Sequence, residues 1–335
     1  MQRIRALALV SMLLAGVAPH HARAATIVRE EVSFAVTNPL APGETFTVRG
    51  SIIRPEGCVS SALLAQHGLS YGAWAWDFPL RPETYSTAQS LAARGYAVVA
   101  IDRLGYGESD HPNGYTLTVQ SYAAMTAQIV DQLRAGSYSA AQPDAFAHVG
   151  LLGHSAGSEV SELSAGLYGG VDVVIPTAYQ HAVDGVNSDW LVREWITGDV
   201  VRSAQGDYEY FETDPDTRAA DMYHLPAAEA DVVALDNEMA NLTPSGEIFS
   251  ISMQPSRWVM GLIDVPVLLI LAENDALFVA SAGEAELALF SGTDDATLHV
   301  VPNAGHTFVL HPNAPEATDV VADWLDARQD AMPRC

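Results

Sequence analysis

Apolar and polar residues alternate with period two over residues 26–36 and 45–53, the pattern of strands buried on one side. Asn38-Pro39 and Pro42-Gly43 lie between them and supply a turn, so both segments are expected as half-buried edge strands. The next apolar runs, 61–66, 96–101, 147–152, 171–175, 265–271 and 296–301, are short and continuous. Strands covered on both faces read this way. Between these runs the period changes to that of a helix. It does so near 85–94, which stops at Gly95, over 116–134, which ends at Gly136, from 156 to about 167, over 281–290 and over 315–328. Strands alternating with helices predict the α/β class: a mostly parallel sheet with helices on both faces. A core of about 250 residues buries ample apolar surface for stability.

Residues 179–261 break that rhythm. Between His181 and Met260 there are 15 acids against 4 arginines, a local charge of −11. The same stretch carries Trp190, Trp195, Tyr208, Tyr210, Phe211, Tyr223, Phe249 and Trp258. Helical patterns fall at 189–196, 216–223 and 228–240, with prolines at 215, 226, 244 and 255 between them. The expected organisation is a core of 25–178 and 262–335 with a mainly helical insertion at 179–261. Most of the insertion's aromatics are expected to pack on one another, with a few reaching a ligand.

Composition removes several classes of chemistry. All 16 basic residues are arginine and lysine is absent, so Schiff-base, pyridoxal-phosphate, Ser–Lys and P-loop mechanisms have no lysine to use. The formal charge of −25 argues against nucleic acid as a partner. Residues 1–24 hold Arg3 and Arg5, an apolar stretch at 6–18, and Ala22-Arg23-Ala24. That is the layout of a secretory signal peptide cleaved near Ala24, which predicts a secreted protein beginning at Ala25. Its apolar core is too short to span a bilayer, and no other segment is long enough, so no stable membrane insertion is expected. The two cysteines, Cys58 and Cys335, could close one disulfide in an exported protein. No Cys/His cluster has metal-ligand spacing, so neither metal nor cofactor is expected.

The chemistry concentrates at strand ends. Gly153-His154-Ser155-Ala156-Gly157 follows the apolar run at 147–152 and opens a helix, the arrangement of a nucleophile elbow. A side chain at 153 or 157 would collide with the neighbouring strand or helix, and Ser155 itself takes a strained backbone. Asp275 lies just past the run at 265–271, and His306 just past the run at 296–301. Serine, acid and histidine thus follow one another in the chain order that this architecture uses.

With these features, and with Gln66-His67-Gly68-Leu69 and Asp102-Arg103-Leu104-Gly105-Tyr106-Gly107-Glu108-Ser109, the chain resembles the α/β-hydrolase superfamily, most closely its secreted serine esterases and lipase-like members. The resemblance covers nearly everything after residue 24 except the insertion, which lies where the family places a cap or lid. It implies an α/β-hydrolase fold with Ser155 as nucleophile, His306 as base and Asp275 as the group that orients it. By position, the backbone amides of Leu69 and Ala156 become the oxyanion hole. His67, Gly68 and His154 shape the pocket, and Trp74 and Trp76 are expected to line it. Asp102 and Arg103 are expected to pair with each other.

Rivals exist for two of these roles. His311 is an alternative base, and Glu273 or Asp184 an alternative acid, while His299 sits within a strand and reads as a packed core residue. The reaction implied is hydrolysis of carboxylic esters of neutral, apolar-leaning small molecules through an acyl-enzyme. An acyltransferase, perhydrolase or amidase would use the same residues, and a non-catalytic binding module is the reading from another class. Substrate length, movement of the cap and oligomeric state are not encoded in these motifs.

Overall fold

A computed structural model describes residues 26–181, 202–203 and 209–334. The expected signal sequence, the helical pattern at 189–196 with its two tryptophans, Asp184, Tyr208 and Cys335 lie outside the described residues. Cys58 is disulfide-bonded. Among the described residues no helix is long and apolar enough to cross a membrane.

Eight strands form one sheet in the order β1-β2-β4-β3-β5-β6-β10-β11. They are β1 (Ile27–Thr37), β2 (Thr45–Pro55), β3 (Ser61–Gln66), β4 (Ala97–Asp102), β5 (His148–His154), β6 (Val173–Thr177), β10 (Val267–Ala272) and β11 (Ala296–Val301). All neighbours are parallel except β1–β2 and β2–β4. Only β1 of the first hairpin is an edge. β2 pairs with β4 on its other side, which is why its central residues are buried where β1 keeps an alternating pattern. The first hairpin therefore departs from the expectation of two edge strands.

The continuous apolar runs resolve into two alternating sets. Leu63, Ala65, Val98, Ala100, Leu152, Leu268 and Ile270 join the core on one face. Ala62, Leu64, Val99, Ile101, Val149, Leu151 and Val267 join the core on the other. Successive side chains of a strand point to opposite faces, so a strand covered on both sides must be apolar at every position. The first face is covered by α2 (Thr87–Ala93), which follows the short α1 (Pro82–Tyr85), and by α9 (Ala314–Asp326). The second is covered by α3 (Val119–Ala135) and α4 (Ala156–Tyr168). A capping box between Thr118 and Ser121 starts α3, and Gly136 ends it in the left-handed conformation that glycine adopts without penalty.

Within the insertion lie α5 (Pro215–Met222), α6 (Ala230–Glu238) and α7 (Ser245–Ile251), close to two of the expected helical patterns. A small antiparallel sheet, not anticipated from the pattern, joins β7 (Arg202–Ser203), β8 (Tyr210–Glu212) and β9 (Thr243–Pro244). The stretch between β10 and β11 carries α8 (Gly283–Leu287), shorter than expected because its first turn is a 3₁₀ turn at Ala280–Ala282.

Candidate active site

Ser155 sits between β5 and α4 with φ 53° and ψ −121°, one of six described non-glycine residues at positive φ. Such a backbone costs on the order of 1–3 kcal/mol and persists only where its surroundings impose it. Here they do. A Cβ at Gly153 would lie 2.4 Å from the carbonyl oxygen of Gly157, and one at Gly157 would lie 2.2 Å from that of Gln66. The Ser155 amide donates to Thr177 at 2.8 Å, and the Ser158 hydroxyl bridges the Thr177 amide and carbonyl, each at 2.8 Å. The corner is thus pinned to the end of β6.

Asp275 and His306 lie beyond the ends of β10 and β11, on the same rim of the sheet. Asp275 Oδ1 accepts from the amides of Leu277 at 2.8 Å and Phe278 at 3.1 Å, which fixes the plane of the carboxylate. Its Oδ2 is 2.9 Å from His306 Nδ1. A carboxylate accepts only, so Nδ1 carries the proton and Nε2 is left as the basic nitrogen. That Nε2 is buried and has no hydrogen-bond partner among the described residues. The Phe278 ring stacks on the imidazole at 5.8 Å between centroids, and the His154 ring approaches it at 5.2 Å.

The rival groups have other partners. His311 Nε2 accepts from the amides of His224 and Gly305, both at 3.1 Å, and Nδ1 donates to the Thr307 carbonyl at 3.1 Å. His311 therefore holds the turn that carries His306. Glu273 accepts from the Asn303 amide at 2.8 Å, on the same turn. His299 lies within β11 opposite Ile270.

The loop after β3 passes over the elbow: a Cβ at Gly68 would stand 3.1 Å from Ser155 Cβ. No hydrogen-bond acceptor engages the Leu69 amide among the described residues. Ala156 is the first residue of α4, where an amide has no intrahelical acceptor. His67 shapes this loop: Nδ1 donates to Gly68 at 2.8 Å and Nε2 accepts from the Arg103 amide at 3.1 Å. Burial, and then the nearby Arg103 charge, hold its pKa well below the usual imidazole value. Burial does the same to His154, reinforced by His306; His154 Nδ1 lies 3.0 Å from Thr177 Oγ1.

The expected Asp102–Arg103 pair does not form. Asp102 accepts from the amides of Ala73 at 2.6 Å and Glu108 at 3.1 Å, closing its own loop. Arg103 instead reaches the His67 carbonyl and, from the insertion, Glu247 at 2.5 Å, with both side chains buried. Neighbouring residues on a strand end point to opposite sides, so adjacency in the motif prevents the pairing.

A second buried pair also comes from the insertion. Arg218 meets Asp236 at 2.6 Å and donates to Ser70 Oγ at 3.0 Å, with its guanidinium 4.3 Å from the centre of the Tyr71 ring. Tyr71 and Tyr223 donate to the Asp236 carboxylate at 3.2 Å and 2.8 Å. Sequence reading missed Arg218, Asp236, Glu247 and Phe278. The one signal was the rarity of arginine in an acidic stretch.

The two tryptophans lie in different surroundings, and the Trp76 ring stands edge-on to His154 at 6.4 Å. Trp76 is buried in the core, and Trp74 lines an open cleft of ≈ 900 Å³ with Arg29, Asp77, Asp102, Gly107 and Asn241. Ser155, Asp275 and His306 do not line that cleft.

Similar folds occur in an esterase from Thermogutta terrifontis (TM-score 0.65, 17% identity, 88% of this chain and 98% of that one) and an esterase from Exiguobacterium antarcticum (0.64, 16%, 87% and 98%). A bromoperoxidase from Bacillus anthracis is also similar (0.63, 15%, 88% and 99%). At these identities the likeness is one of fold. No curated protein matches the chain in sequence. The model of the alpha/beta hydrolase family matches residues 62–323, most of the chain, and the protein belongs to that family.

Proposed function

We propose that this protein is a secreted serine hydrolase that cleaves carboxylic esters of neutral, apolar-leaning small molecules. The observation that carries this reading is the Asp275–His306 hydrogen bond, which leaves a buried basic Nε2 on the sheet rim that also presents Ser155. His306 Nε2 takes the Ser155 proton as the hydroxyl attacks the acyl carbon, and Asp275 stabilises the imidazolium that forms. The Leu69 and Ala156 amides receive the developing oxyanion, each contributing about 10²–10³ in rate. His306 then donates its proton to the leaving alcohol, and water, deprotonated by the same nitrogen, releases the acid.

Residues 179–261 form the cap in this reading, because the insertion supplies Arg218, Asp236 and Glu247 to the loops around Ser155 and His306. The esterases among the similar folds support ester chemistry, and the layout of residues 1–24 supports export. The excess of acidic residues disfavours anionic substrates and nucleic acid.

The test is hydrolysis of a chain-length series of chromogenic esters by the mature chain and its Ser155→Ala variant. Loss of activity by orders of magnitude in the variant supports the reading, and the series ranks the acyl groups. Equal rates in both would reject it, as would no activity in either, which would leave acyl transfer or amide cleavage to be assayed.

A further inference from the structure

The first turns of α4 hold a second cluster of ionisable groups that the proposed reaction does not use. Glu159 and Glu162 project from α4, His181 follows β6, and Glu286 lies on α8, all with side chains out of contact with solvent. His181 Nδ1 is 2.7 Å from Glu286 Oε1, and Nε2 is 2.6 Å from Ser256 Oγ. His181 Nε2 also lies 3.4 Å from Glu159 Oε2 and 3.6 Å from Glu162 Oε2. Ser256 donates its amide to Glu159 at 2.9 Å and its hydroxyl to Glu162 at 2.8 Å.

Hydrogen bonds do not complete this cluster. Three carboxylates surround one imidazole, and the neighbouring Arg257 donates to the His181 carbonyl. Glu162 Oε1, fully buried, has no hydrogen-bond partner among the described residues. One donor atom from each of Glu162, His181 and Glu286 lies within 4.8 Å of the others, near enough for a small adjustment to bring them onto one ion. A buried carboxylate oxygen without a donor is costly, and a divalent cation beside Glu162 Oε1 would supply its missing partner.

We propose that Glu162, His181 and Glu286 bind a divalent transition-metal ion of the zinc class, with Glu159 as a further carboxylate beside it. Two carboxylates and an imidazole form a nitrogen–oxygen donor set that suits Zn²⁺ or Mn²⁺ better than Ca²⁺ or Mg²⁺. Enclosure, with all four side chains out of contact with solvent, makes the site structural. It ties α4, which follows Ser155, to the segment between Asp275 and His306. The chain spacing of 162, 181 and 286 matches no short metal motif, so only the fold brings the set together. The inference stands independently of the ester reading.

The test uses the intact exported chain, stripped by chelation and titrated calorimetrically with Zn²⁺ and, separately, Mg²⁺, beside Glu162→Gln. The account expects one saturable Zn²⁺ site per chain and a higher melting temperature when it is filled. It expects affinity weakened more than about tenfold in Glu162→Gln and little response to Mg²⁺. Absence of a saturable site in the wild type overturns it, whether or not the variant folds. So does equal affinity in a folded Glu162→Gln, which would mark adventitious metal.

Discussion

Tyr71 Oη and Thr307 Oγ1 lie 2.8 Å apart, and this contact joins the loop of Gly68 and Leu69 to the loop of His306. Behind it, Asp236 and Arg218 complete a buried polar network supplied by α5 and α6. Removing one member of a buried ion pair leaves the other charge uncompensated, at about 3–5 kcal/mol. Arg218→Leu is therefore expected to lose about that much in urea unfolding, since Asp236 stays buried beside two tyrosines. Tyr71→Phe keeps the ion pair and is expected to lose only about 1–2 kcal/mol. Equal losses in the two variants would contradict this ordering.

Replacing Asp275 with asparagine tests the tautomer. Oδ1 accepts two backbone amides, so the asparagine oxygen is held there and its NH₂ faces His306 Nδ1. Two donors cannot meet, and the imidazole must move its proton to Nε2, where it no longer acts as base. Asp275→Asn is expected to reduce kcat about 10³–10⁴-fold with little change in unfolding free energy. Activity within tenfold of wild type would assign the orienting role to another acid.

The elbow glycines should tolerate nothing larger. The approaches of 2.4 Å at Gly153 and 2.2 Å at Gly157 are to backbone atoms, which cannot swing away. Gly153→Ala and Gly157→Ala are each expected to destabilise by about 1–3 kcal/mol or more and to abolish activity with it. Folded, active alanine variants would show that the corner is looser than its geometry.

His154 gives a pH dependence of known sign. Burial and His306 hold its pKa well below the ordinary 6.5, so an unfolded chain binds a proton that the native state refuses. The stability it contributes is complete above pH 6.5 and declines as pH falls below, by up to about 1.4 kcal/mol per unit. Urea unfolding of wild type and His154→Gln from pH 8 to 5 should show their difference constant at first and then shifting against the wild type in acid. A difference independent of pH would mean the imidazole is protonated equally in both states.

How far these features could be read from the chain depends on their range. Apolar runs and their spacing report burial directly, so strands at 147–152 and 265–271 were placed within two residues of β5 and β10. The elbow was legible because a steric rule demands glycine at fixed offsets from Ser155. Asp275 and His306 were legible because both follow strand ends. Arg103 and Glu247, 144 residues apart, left no such trace, nor did Arg218 with Ser70. Long-range polar pairing follows from how loops fold over the sheet rim, and local pattern does not record it. The edge position assigned to 45–53 failed for a related reason: β2 finds its second partner, β4, across an intervening strand and two helices.

The central claim is that Ser155 is an activated nucleophile, and covalent labelling tests it most directly. The purified protein would be treated with a fluorophosphonate and the modified peptide located by mass spectrometry. The account predicts one phosphonyl group per chain on Ser155, and no labelling of Ser155→Ala. Labelling at another residue, or none in a folded chain that still hydrolyses esters, would contradict it.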